Sequence, residues 1–148
     1  MSYKWINGKE GFDEVFKVRK AVFIEEQKVP EFLKKDGFDD NVHHLLVYAN
    51  DIPIAVGMLF NNGYHFKPGR ICVLKPYRGM ELGRFLMERL LEKVKETGVE
   101  KLFIESQVKT IGFYRKFGVK EFGEMFDDAG IKYISMVKVC RSLYFSEQ

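Results

Sequence analysis

The spacing of apolar positions changes several times along the chain, and each change marks an element. Residues 3–6 read as a short first strand. Phe12, Val15, Phe16, Arg19, Val22 and Phe23 then share one face of a helix. Around Pro30 the spacing breaks down, and a loop runs to Asn41. Strands at 44–49 and 52–60 flank Asn50-Asp51, a hairpin-turn pair. Asn61-Asn62-Gly63 marks a second turn, and residues 70–74 complete a three-stranded meander. Leu82, Gly83, Leu86, Met87, Leu90, Leu91 and Val94 line one face of a long helix that ends before Gly98. A buried strand follows at 102–105. Val108, Ile111, Phe113 and Phe117 suggest a short packed helix with Gly118 as its stop. Strands at 119–122 and 133–139 close the order. This is an α/β (α+β) pattern without repeat, low-complexity tract or linker: one domain over 1–140 and an unassigned tail over 141–148. Leu143, Tyr144 and Phe145 of the tail could dock on the domain or on a second subunit, which makes a homodimer one expectation.

Composition narrows the class. A chain of 148 residues, 46% hydrophobic, can bury a real core and is not expected to be disordered. No apolar run reaches the length of a membrane span, and MSYKWINGKEGFDE lacks a signal-peptide core, so no membrane association and a cytoplasmic location are expected. Cys72 and Cys140 show no metal spacing and read as intracellular thiols. His43, His44 and His65 share no ligand spacing, so no metal is expected. The 24 basic and 21 acidic residues are interspersed, which argues against a nucleic-acid footprint.

The segment from Ile71 to Met87, ICVLKPYRGMELGRFLM, carries the most chemistry. A strand ends at Leu74, a Pro76-Tyr77-Arg78-Gly79 turn follows, and a helix begins. First-turn N–H groups have no intrahelical partner and sit at the positive end of the dipole, so such a junction can hold an anion. Gly79 permits close backbone approach, while Arg78 and Arg84 add cations. Neither G-x-x-x-x-G-K-[ST] nor G-x-G-x-x-G is present here, which excludes those two phosphate loops at this site. An ordinary strand–turn–helix junction has the same outline.

RGMELG resembles the acyl-CoA loop of the GCN5-related N-acetyltransferases (GNATs), Q/R-x-x-G-x-G/A. Arg78 and Gly83 match its ends, and Glu81 stands where the middle glycine belongs. Glu81 either turns outward as a first-turn acid or opposes the phosphate. SQVKTIGFYRKFGV resembles the N-x-x-A-x-x-x-Y-x-x-x-G-F block, with Gln107, Thr110, Tyr114 and Gly118-Val119 in the matching places. RKAVFIEEQKVPEFLKKDGFDDNVHHLLVY is similar to the R-x-x-V-F-x-x-E-Q-x-V-P…D-x-x-D…H pattern of the ElaA/YjcF-like subgroup, through Arg19, Val22, Phe23, Glu26, Gln27, Val29, Pro30, Asp36, Asp39 and His44. DDAGIKYISMVK resembles that subgroup's ending, with Tyr133 in place of a His.

The resemblance implies the GNAT fold, a mixed central sheet with an antiparallel N-terminal meander and flanking helices. It also implies acetyl-CoA as co-substrate, lying in a splay between two central strands. Its pyrophosphate would meet the N–H groups of Gly79, Met80, Glu81, Leu82, Gly83 and Arg84, beside Arg78. Its pantetheine would run along Cys72, Val73 and Leu74 as an added strand. A primary amine would attack the thioester directly, a backbone N–H near Val73 would stabilise the oxyanion, and Tyr114 would return a proton to the leaving thiolate. Gln107 belongs to the same cofactor side. Glu26 and His44 are the candidate bases, and Arg19, Glu26 and Gln27 the acceptor-side residues. For Arg19, a buried pairing in the core is the alternative. If Glu25, Glu26, Asp36, Asp39 and Asp40 face the cleft, a cationic acceptor is favoured, whether a small-molecule amine or a protein amine. The competing class is a catalytically silent acyl-CoA-binding module, which the departures at Glu81 and Tyr133 allow.

Overall fold

A computed structural model describes residues 1–7, 11–28, 42–61, 66–97, 101–128 and 130–140. The expected loop to Asn41, the turn residues Asn62 and Gly63, Gly98 and the tail lie outside the described residues, as do Val29, Pro30, Asp36, Asp39, Asp40 and His65.

The elements run β1 (Ser2–Asn7), α1 (Phe12–Arg19), a π-helical continuation (Lys20–Glu26), β2 (Val42–Ala49), β3 (Ile52–Asn61), β4 (Phe66–Val73), α2 (Leu82–Thr97), β5 (Lys101–Gln107), α3 (Ile111–Arg115), β6 (Lys120–Asp128) and β7 (Ile131–Val139). They build a seven-stranded sheet in the order β1-β2-β3-β4-β5-β7-β6. Every neighbouring pair is antiparallel except β4–β5. Asn50 and Asp51 both adopt left-handed φ, 50° and 66°, the geometry that a two-residue hairpin needs and that Asn and Asp tolerate.

Helices cover both faces of the sheet, so β2 and β3 read as near-continuous apolar runs. Alternation still sorts the side chains. Leu46, Val56 and Cys72 pack with Phe12, Val15, Val18, Val22 and Phe23, while Leu45, Val47 and Ala55 pack with Leu82 and Leu86 of α2. Further along α2, Met87, Leu90 and Val94 meet Leu59, Phe66, Leu102 and Ile104.

Three boundaries differ from the sequence reading, each for a physical reason. The first helix leaves α geometry at Lys20, and the Gln27 N–H reaches Val22 O at 3.0 Å, an i→i+5 bond. A 3.6-residue period cannot anticipate the altered phase that this gives residues 20–26. β4 begins at Phe66, because Pro68 and Gly69 read as breakers although they pair opposite Leu59 and Met58. β6 continues to Asp128 as a solvent-exposed edge strand, with a bulge between Phe122 and Phe126, so no apolar alternation announced its second half.

β4 and β5 pair only where Phe66 meets Leu102. Beyond that point the two strands part, and the sheet opens between Cys72-Val73 and Glu105-Gln107. On β4, Arg70 and Ile71 stand against Gly57 alone, a bulge with Arg70 at φ 49° that turns the end of the strand.

Candidate functional site: a cleft in the split sheet

The parted strands border a cleft of about 450 Å³. Cys72 and Val73 line one wall and Glu105 and Gln107 the other, with Phe23, Glu26 and Gln27 arriving from the π-helical end and Phe113 and Tyr114 from α3. A second groove of about 850 Å³ follows the turn into α2 and is lined by Gly79, Glu81, Leu82, Gly83, Arg84 and Lys116. Val73, Arg78, Gly83 and Phe113 border both cavities, so they form one continuous channel.

Backbone alternation prepares the β4 wall. The Leu74 N–H donates to Ile54 O at 2.9 Å, which directs the preceding peptide groups of Val73 to the open side. Val73 O accepts from Arg78 Nε at 2.9 Å. The turn into α2 has two left-handed residues, Gly79 at φ 86° and Glu81 at φ 60°. Nothing lies within 4 Å of the place a Gly79 Cβ would occupy, so its backbone is open to a ligand. A Cβ on Gly83 would meet the Phe113 ring at 3.4 Å, ordinary contact distance, so α2 packs closely against α3 at this glycine. Glu81 is exposed and pairs with Arg84 at 3.7 Å, and Arg84 also reaches Glu88.

Charge in the cleft is already partly committed. Arg78 forms a bidentate pair with Glu26, both N···O distances 2.7 Å. That bond holds the Glu26 carboxyl below its ordinary range and pushes Arg78 up. Glu105 is paired with Lys67. Tyr114 is buried, and burial pushes its hydroxyl up to about 12, so it carries its proton at neutral pH. Burial likewise pushes the Cys72 thiol up to about 12. Gln107 donates from Nε2 to Gln27 Oε1 at 2.9 Å, and its own Oε1 is buried without a hydrogen-bond partner.

Of the residues singled out in the sequence, Cys72, Val73, Arg78, Gly83, Gln107, Tyr114, Glu26 and Gln27 come together on the cleft, and Gly79, Glu81, Leu82 and Arg84 on the groove. Met80 is 53% exposed and borders neither. Leu74 follows β4 beside a shallow hollow shared with Glu25 and Glu26. Two expectations are corrected. His44 and Arg19 do not reach the cleft. Strand alternation turns His44 inward beneath α1, where its Nδ1 meets Arg19 Nη2 at 3.3 Å, and Phe12 packs on both groups. The predicted opposition of the two histidines holds, since His43 faces the other way and bonds to Asn7. Phe23, Lys109, Phe113 and Tyr133 also line the cleft, and the sequence pattern does not assign them there. Tyr133 was visible as a departure from the subgroup pattern, and its β7 register opposite Gln107 puts it on the cleft.

Residues 8–140 match the family described as Acetyltransferase (GNAT) domain. The chain belongs to the GNAT acetyltransferase family. Among its relatives, the Bacillus subtilis protein YyaT is 36% identical over 93% of this chain and 95% of its own length. The uncharacterized N-acetyltransferase YjcF of the same organism is 32% identical over 87% of this chain and 93% of its own. The crystal structure of Escherichia coli ElaA superposes with a TM-score of 0.84 and 23% identity, covering 93% of this chain and 99% of that one. These similarities place the GNAT chain in the ElaA/YjcF-like subgroup. Among its described residues, no group of His, Cys, Asp and Glu could hold a metal ion, and no helix is long and apolar enough to cross a membrane.

Proposed function

We propose that this GNAT chain transfers an acetyl group from acetyl-CoA to a primary amine by direct attack. The observation that carries the reading is the channel itself: a split between β4 and β5, edged by backbone on one side and by Tyr114 on the other, running into an open anion loop. The residues fit an acyl-CoA. The N–H groups from Gly79 to Arg84 and the side chains of Arg84 and Lys116 suit its pyrophosphate, and the Val73 edge offers a strand's hydrogen bonds to its pantetheine. Arg78 differs from the simplest expectation, because its guanidinium is engaged by Glu26 and Val73 O. It serves the phosphate only by leaving that pair.

The thioester supplies an electrophilic carbonyl and a thiolate leaving group. The acceptor nitrogen forms the new C–N bond and the C–S bond breaks. The Val73 N–H donates to the carbonyl oxygen as charge builds there. Tyr114, protonated and buried, donates to the departing sulfur. Glu26 is the acceptor-side carboxylate that takes the amine's proton, directly or through water, once Arg78 leaves it, since the pair with Arg78 lowers its basicity. Gln27 and Gln107 shape the floor. Much of the acceleration comes from holding two substrates in line. We read residues 1–140 as the acetyltransferase domain and assign the protein to the cytoplasm, in keeping with its two free thiols.

The test is release of CoA thiol from acetyl-CoA with a panel of primary amines, alongside CoA binding by calorimetry. Amine-dependent release supports the enzyme. CoA binding without any turnover would establish the silent acyl-CoA-binding module instead.

A further inference from the structure

The acceptor side of the cleft opens into a hollow of about 540 Å³ between the end of the first helix, the start of the α3 segment and β7. It shares Glu26, Gln27, Gln107 and Lys109 with the cleft and adds Lys132. Neither lysine borders the groove along the anion loop, so neither is placed to serve the pyrophosphate. Both are exposed and, among the described residues, neither forms an ion pair. Lys132 lies opposite Asp127 across the β6–β7 ladder without reaching it. The carboxylates nearby are spoken for: Glu26 by Arg78 and Glu105 by Lys67. Among the described residues that line it, the hollow therefore holds two lysines against one carboxylate, Glu26, which Arg78 already engages. The acids Asp36, Asp39 and Asp40 lie outside the described residues.

A second observation points the same way from the polar, uncharged side. Gln107 is nine-tenths buried, lines both cavities, and has an Oε1 with no partner. A buried carbonyl oxygen without a donor is costly to leave unmet. An amine N–H entering the cleft would satisfy it.

We infer that the acceptor is an amine that also carries an anionic group, an amino-acid-like zwitterion, whose nitrogen meets Gln107 Oε1 while its anion pairs with Lys109 and Lys132. This rests on the acetyltransferase reading and narrows its substrate class. The two ends of such a molecule match the two ends of the site. A plain polyamine meets like charge at the hollow. The lysines also disfavour a second positive charge beside them, which helps the attacking nitrogen lose its proton.

The test uses matched acceptors with the full chain and acetyl-CoA: free amino acids, their α-amides and the corresponding decarboxylated amines. Two partly exposed charge pairs give a preference for the carboxylate of about tenfold in kcat/KM, set mainly by KM and reduced by salt. In Lys109→Gln/Lys132→Gln the ratio of carboxylate to amide should fall toward one. Amides or decarboxylated amines used as well as the acids, or an unchanged ratio in the double variant, would overturn the proposal while leaving acetyl transfer intact. If no amine is turned over, the acetyltransferase reading fails by itself. Calorimetric titration of the CoA-loaded protein with N-acetyl-amino acids and their amides then decides the charge preference separately. Tighter binding of the acids that is lost in the double variant supports it, and equal or absent binding overturns it.

Discussion

The two ends of the channel are built by opposite means. On the proposed reading, the cofactor end is mainly one short run of chain, from Cys72 through Arg84, joined by Lys116, and its working groups are mostly backbone N–H and C=O. The acceptor end is assembled from the π-helical segment, β5, the start of α3 and β7, and its working groups are side chains already tied to one another. Backbone recognition tolerates changes of side chain, because the conformation carries the site. Side-chain recognition depends on which charges are left over after internal pairing, as the engaged Glu26 demonstrates. The cofactor end should therefore be robust, and the acceptor end sensitive to single charges.

The largest effect that would sharpen this contrast comes where the two ends meet, at Tyr114. Tyr114→Phe keeps the ring that packs edge-on to Phe113 and removes only the hydroxyl. Loss of a general acid lowers turnover by about 100-fold to 10,000-fold, with CoA binding and melting temperature close to the parent's. With the free hydroxyl at about 12, an alkaline limb between pH 8 and 9 would have to belong to another group. Unchanged turnover, with chemistry shown to be rate-limiting, would reduce Tyr114 to a rim aromatic.

Next in size is the cofactor's own contribution. A ligand at about 100 times its dissociation constant adds about 2.7 kcal/mol, or about 5–10 °C in a chain of this size. A thermal melt against CoA measures it. The absence of any shift over a wide concentration range would break the assignment of the anion loop.

The same contrast explains what could be read from the sequence. A contiguous site leaves its signature in contiguous residues, so the strand ending at Leu74, the Gly79 turn and the apolar face of α2 were all legible, as were the Asn50-Asp51 turn and the meander. The left-handed backbone at Arg70 was not, because no Gly, Asn or Asp marks the position. Nor could spacing reveal that Arg19 pairs with His44 inside the core, since the partners lie 25 residues apart and meet only through sheet register. No motif or spacing singles out Lys109 and Lys132, which the ends of β5 and β7 bring to one hollow.

Glu26→Gln probes the acceptor end directly. It removes one charge from a pair whose side chains are about two-fifths exposed, so the stability cost should stay below about 1 kcal/mol. The sign with pH follows from the lowered carboxyl. Its contribution is complete above the ordinary carboxylate range and disappears as pH falls through the depressed value, so the variant should lose stability less steeply in acid. Activity should respond more than stability, with acceptor KM raised about tenfold and CoA affinity changed less. Steady-state kinetics in both substrates check this. Equal changes in both would show that the two ends are not separable at this residue.

The smallest effect tests whether the cofactor end is as indifferent to side chains as its backbone character implies. Glu81 holds φ 60°, where a residue with a Cβ carries strain of about 1–2 kcal/mol and glycine carries none. Glu81→Gly relieves that strain but gives the unfolded chain more freedom, worth about 0.4–1 kcal/mol in the opposite direction. The melting temperature should therefore move by only a few degrees at most, slightly upward if strain dominates. The substitution also removes an exposed anion from the groove and releases Arg84 from one of its two carboxylates. Both changes favour a phosphate, and CoA should bind a few-fold tighter, more so at low salt. Calorimetry at two ionic strengths measures the gain. Weaker binding after Glu81→Gly would mean that the Glu81–Arg84 pair fixes the loop for its ligand, and that even this end of the channel relies on a side chain.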